Sequence, residues 1–166
     1  VVARSEKVRR ALQRQFAERQ VTKAYLALLH GHLQPDWGRI EAPIGRDPNH
    51  RQRMAVLPGG REAVTEYHVL EHFAHQVGPA AGRYSLVEAE PHTGRTHQIR
   101  VHFASIDHPV LADPVYGRRR CPLPLERQFL HARRLAFQHP VARKRIDLEA
   151  PLPSDLDHVL ALLRST

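Results

Sequence analysis

At 166 residues the chain accommodates one domain and excludes two large ones, and an apolar fraction of 42% is enough for a core, which excludes disorder. Twenty-five Lys and Arg against 17 Asp and Glu leave a net charge of +8, so the expected partner is polyanionic. The single cysteine, Cys121, excludes an internal disulfide and a thiolate metal cage and suits a reducing cytoplasm; no apolar run approaches the roughly 20 residues of a membrane span.

The chain opens on Val1-Val2-Ala3-Arg4, which reads as the end of a strand begun earlier and the chain as part of a longer one. Ser5 is placed to cap a helix running to about Arg19, with Val8, Ala11, Leu12 and Phe16 on one face. From Val21 to Leu29 the period shortens toward two, predicting a strand with Tyr25 on the same face as Lys23 and Ala27. Residues 34–60, rich in Pro and Gly, read as loop with short strands near 39–42 and 53–57, decorated by Arg46, Arg51 and Arg53.

Residues 63–71 and 83–90 alternate as an antiparallel pair. After Pro91, residues 92–96 form a turn, and Ile99, His102, Phe103 and Ile106 predict a helix that stops before Pro109. Asp113 to Arg120 is loop, with Asp113 a turn residue. Residues 134–138 and 144–149 read as a hairpin turning near His139-Pro140. Ser154 or Asp155 then caps a last helix with Leu156, Val159, Leu160 and Leu163 on one face. The sum is an α+β fold, a mixed and mainly antiparallel sheet with flanking helices.

The 13 histidines raise a metal site, which their spacing does not support. His68 and His72 lie on a strand, where four residues span about 13 Å. His97 and His102, five apart on a helix, do not share a face. Basic residues interleaved with aromatics are the better lead: Tyr25, Phe103, Tyr116 and Phe129 each lie near Arg or Lys, a combination that stacks a base and holds its phosphate, although core packing is the commoner fate of each ring. Gly94 and the polar residues after it, followed by a helix carrying Arg95 and Arg100 at its start, form an anion-facing helix N-terminus.

The stretch His92-Thr93-Gly94-Arg95-Thr96-His97-Gln98-Ile99-Arg100-Val101-His102 resembles the signature of the RluA type of RNA pseudouridine synthases. The resemblance extends along the chain through Lys23-Ala24-Tyr25-Leu26-Ala27-Leu28, Pro43-Ile44-Gly45-Arg46, Ala63-Val64-Thr65-Glu66-Tyr67, His108-Pro109-Val110-Leu111-Ala112-Asp113 and Leu130-His131-Ala132. It implies an enzyme that isomerises uridine in structured RNA, rRNA or tRNA, to pseudouridine without cofactor or metal. Tyr25 would pack on the uracil and assist proton removal from C5, and Arg100 would pair with the catalytic aspartate. Ile99 and Leu130 would line the apolar part of the pocket, and Arg46, Arg51, Arg53, Arg95 and His97 would contact RNA.

The family's aspartate lies in an HRLD motif that would precede Val1. On this reading residues 1–166 are an N-terminally truncated part of the catalytic domain, monomeric and cytoplasmic, inactive alone because Arg100 lacks its carboxylate partner. A non-catalytic RNA-binding module is the alternative, since phosphate contacts give affinity without chemistry.

Overall fold

The computed structural model describes residues 1–50, 52–75, 81–118, 121 and 123–165; Arg51, Arg119 and Arg120 lie outside them. The elements in chain order are α1 (Glu6–Ala17), β1 (Thr22–His30), β2 (Trp37–Glu41), β3 (Ile44–Arg46), β4 (Met54–Val56), β5 (Val64–His75), β6 (Gly82–Pro91), α2 (Gln98–Ser105), β7 (Leu130–Gln138), β8 (Arg145–Glu149) and α3 (Ser154–Arg164). Six strands form one sheet in the order β2-β5-β6-β1-β7-β8, every neighbouring pair antiparallel, while β3 and β4 form a separate hairpin.

β1 lies inside the sheet and is buried on both faces, not on the one that a period of two implies. Ala27 and Leu29, with Val87 and Ala89 of β6, pack under Ile99 and Phe103 of α2. Leu28, with Tyr84 and Leu86, packs on the opposite face against Leu156, Val159 and Leu160 of α3. In β5 a register shift between Val69 and Glu71 inserts one residue, so Tyr67 joins the α2 side and Phe73, also an odd position, joins the α3 side. The hairpin β3–β4 docks beside α2 through Ile44, Val101 and Tyr116.

Four local expectations are corrected. Val1 to Ala3 pair with no other strand among the described residues. The apolar stripe of α1 is only partly covered, with Phe16 46% exposed; its buried residue is Gln15, whose amide donates to the carbonyl of Gln138 at 2.8 Å and accepts from the Gln138 N–H at 3.0 Å. A polar tether therefore seats α1 on β7. At α3 the cap position is Pro153, so Ser154 is already helical, and β7 begins four residues earlier than expected, at Leu130.

Candidate active site

An open cleft of about 570 Å³ lies between the start of β1, the turn after β6, the first turn of α2 and the start of β7. Tyr25, Ile99, Arg100 and Leu130 all line it, together with Arg95 and His97. Arg46 and Arg53 lie outside it, on the β3–β4 hairpin. Of the four aromatics considered as base platforms, Phe103 and Phe129 are fully buried and Tyr116 nearly so, which leaves Tyr25. The pairing of β1 with β7 shifts register between Ala24 and Tyr25, a bulge that turns the strand at the residue facing the cleft.

Burial pushes the Tyr25 hydroxyl above its usual range, so it stays protonated at neutral pH. Lys23, two residues earlier and on the same wall, is pushed down by burial and donates to the carbonyl of Thr93 at 3.2 Å.

The turn between β6 and α2 is built around buried Gln98. Its amide nitrogen donates to the Val64 carbonyl at 2.8 Å and to Thr65 Oγ1 at 3.0 Å, and its oxygen accepts from Thr93 Oγ1 at 2.7 Å and from the Arg95 N–H at 3.0 Å. Thr93 Oγ1 in turn accepts from the Val64 N–H at 3.0 Å. Below it His102, fully buried, contacts Thr65 Oγ1 through Nδ1 at 2.9 Å and the Ala42 carbonyl through Nε2 at 3.0 Å. A carbonyl only accepts, so Nε2 carries the proton and Nδ1 accepts from Thr65. The buried polar atoms are thus paired, as a rigid wall requires.

Arg100 does have a carboxylate partner within this chain, which corrects the expectation. Its Nε and Nη2 donate to Asp113 Oδ2 and Oδ1 at 2.6 and 2.7 Å. Asp113 is also the turn residue foreseen, since Oδ1 accepts from the N–H groups of Val115 and Tyr116 at 2.9 and 3.0 Å. Burial pushes its carboxyl up, but the Arg100 fork and those two N–H groups outweigh it and hold the group below the usual carboxylate range. The Tyr116 ring lies under the Arg100 guanidinium, 5.0 Å from its centroid, and Arg53 stacks on the same ring at 5.3 Å. The fork leaves Nη1 of Arg100 without a protein partner among the described residues. Among the described residues lining the cleft none is Asp or Glu.

Sequence reasoning missed Lys23, Thr93 and Gln98 as parts of the site and read Tyr116 as a base platform. The signal for Gln98 was a polar side chain at a helix start, directly before the apolar core position Ile99.

Residues 1–105 match the family described as RNA pseudouridylate synthase. An uncharacterised RNA pseudouridine synthase of Chloroflexus aurantiacus is 48% identical over 164 residues, which are 99% of this chain and 49% of that protein. The ribosomal large subunit pseudouridine synthase D of Neisseria meningitidis serogroup B is 42% identical over 175 residues, covering 99% of this chain and 44% of its own length. Among solved structures, human RNA pseudouridylate synthase domain containing 1 superposes with a TM-score of 0.77 at 33% identity, covering 99% of this chain and 74% of that one. The chain belongs to the RNA pseudouridylate synthase family, and within it to the RluA type. It spans about half the length of the bacterial relatives it matches.

Proposed function

We propose that residues 1–166 form part of the catalytic domain of an enzyme that isomerises specific uridines in structured RNA, rRNA or tRNA, to pseudouridine, as a monomer in the cytoplasm. The observation that carries this reading is the convergence of Tyr25, Ile99, Arg100 and Leu130, residues far apart in sequence, on one cleft. The target uridine leaves its stack to enter, a cost of a few kcal/mol that loops and bulges reduce. Tyr25 packs on the uracil, and its raised hydroxyl favours that role over acting as a base towards C5. Ile99 and Leu130 complete the apolar lining. Arg95 and His97 at the rim, with Arg46 and Arg53 beyond it, hold the RNA backbone, and Arg51, which lies outside the described residues, is assigned the same role.

The catalytic carboxylate comes from a segment upstream of Val1. Two observations support this: the described lining of the cleft contains no acid, and Asp113, the nearest partner of Arg100, is committed to Arg100 and two backbone N–H groups. Arg100 then serves both carboxylates, using Nη1 for the incoming one.

The test compares the 166-residue chain with a longer form carrying the upstream HRLD segment, by tritium release from RNA transcripts labelled at C5 of uridine. The longer form releases tritium and the short chain does not, since losing a catalytic group commonly costs on the order of 10⁴-fold or more. Turnover by the short chain overturns the upstream assignment. Binding without release by either form favours an RNA-binding module.

A further inference from the structure

Tyr116 is part of no expected catalytic pair, yet it joins three elements around the cleft. Its hydroxyl oxygen accepts the backbone N–H of Met54, the first residue of β4, at 2.9 Å, and lies 3.0 Å from Nδ1 of His97. Its backbone N–H donates to Asp113, the carboxylate that chelates Arg100, and its ring lies under the Arg100 guanidinium. The turn that carries it is tight: the Gly117 N–H donates to the Asp113 carbonyl at 3.0 Å, and a Cβ at Gly117 would collide with that oxygen.

These contacts fix a proton. The Met54 amide can only donate, so the Tyr116 oxygen is its acceptor. The Tyr116 hydroxyl proton then has one acceptor in reach among the described residues, the lone pair of His97 Nδ1. In the opposite arrangement, with Nδ1–H donating to Tyr116, the hydroxyl proton would be left buried without a partner, which is the costly outcome. His97 is therefore neutral with its proton on Nε2, and burial and the neighbouring Arg100 charge hold its pKa down, against a smaller pull from Asp113. His97 also sits in the left-handed region, φ 56°, where a residue with a Cβ is strained and its contacts must hold it. Nε2–H has no protein partner among the described residues, and His97 lines the cleft.

We propose that Tyr116 is a positioning residue that locks His97 in the Nε2–H form, so that His97 presents one fixed donor to an oxygen of the nucleotide in the cleft. The nucleotide rests on the proposed function; the lock itself does not. The first measurement is accordingly independent of activity. Long-range ¹H–¹⁵N correlation of the imidazoles in the 166-residue chain at neutral pH shows His97 as the Nε2–H tautomer, and Tyr116→Phe, which keeps the ring, converts it to a mixture. An Nδ1–H tautomer in the unaltered chain, or an unchanged tautomer in Tyr116→Phe, overturns the proposal.

The second measurement uses the longer, active form. Tyr116→Phe lowers the single-turnover rate about tenfold, because the His97 donor towards the nucleotide is no longer fixed, with RNA affinity unchanged. His97→Gln, whose amide nitrogen reaches the place of Nε2, retains more activity than His97→Asn, whose amide mimics Nδ1. Equal losses in the two His97 variants refute the donor role. If the longer form makes no pseudouridine, the enzymatic reading fails while the tautomer still decides the lock.

Discussion

On the α2 side of the cleft the polar side chains are buried and bonded to one another, whereas on the α1 and β8 side they are exposed and paired as surface ions. Gln98, Thr93, Thr65 and His102 form one continuous network, and Arg100 is clamped between Asp113 and Tyr116. Beyond the cleft, on the surface that β7 and β8 share with the end of α1, Arg134 pairs with Asp147 and Arg133 with Glu149, all half exposed, and Phe16 and Leu148 are 46% and 50% exposed. The buried wall holds its geometry through groups that cannot turn to water if a partner is lost. The exposed wall can exchange each contact for hydration at little cost. The orientation of Arg100 and His97 therefore depends almost entirely on one wall.

The strongest way to break this contrast is Asp113→Ala, which strands the Arg100 guanidinium in the interior and removes the acceptor for two backbone N–H groups. Loss of one partner of a buried pair costs about 3–5 kcal/mol, so the urea midpoint should fall by a large fraction of the total stability. An unchanged midpoint would mean that Arg100 finds water or another partner, and that the wall is softer than its hydrogen bonds imply.

Acid tests buried polar groups on both faces of the sheet, since His30 lies against Tyr84 on the α3 side and His102 in α2. His30 is pushed down to about 4, chiefly by burial and further by the Arg118 charge, and His102 is pushed down by burial although its bond to the Ala42 carbonyl opposes this. Unfolded histidine takes up its proton near pH 6.5. Between that value and about 4 the unfolded chain binds protons that folded His30 refuses, so stability present at pH 7 is lost as pH falls through this window. Asp113 extends the loss further down: its folded carboxyl is held low, so its stabilisation is complete above the ordinary carboxylate range and is lost as pH falls from that range through the lower folded value. Urea midpoints at pH 7 and pH 5 should differ, with the lower one at pH 5, and His30→Gln should narrow the gap.

Elements whose signal is local were legible in the sequence. The stripe of Leu156, Val159, Leu160 and Leu163 produced α3, and the alternation over Ala63 to Glu71 and Arg83 to Glu90 produced the β5–β6 pair. Tyr25, Ile99, Arg100 and Leu130 were recovered because the resemblance marked them, and their meeting in one cleft depends on pairings over a hundred residues apart that periodicity cannot reveal. The bulge at Leu70 was invisible for a related reason: one inserted residue swaps the faces of β5 without altering its composition. The Arg100–Asp113 pair was missed because Asp113 already had a local explanation as a turn residue, and nothing in the sequence signals that its second oxygen reaches back to α2.

The exposed side should yield smaller effects, and it contains its own internal contrast. Gln15 is the single buried residue of α1, and Gln15→Ala removes two hydrogen bonds to the backbone of Gln138 while leaving that N–H and carbonyl at the sheet edge of the interface. Each bond is worth about 0.5–1.5 kcal/mol, and α1 has little apolar burial to replace them, so the helix should detach before the sheet melts. Hydrogen exchange in α1 should then rise about tenfold or more while β1 and β6 keep their protection. Arg134→Ala removes a bidentate ion pair of comparable distances, 2.9 and 2.5 Å, yet should leave both the exchange and the melting temperature unchanged, because both partners are hydrated when apart. If Arg134→Ala proves the more damaging of the two, burial is not what separates the two walls, and ion pairing rather than the Gln15 tether holds the α1 side together.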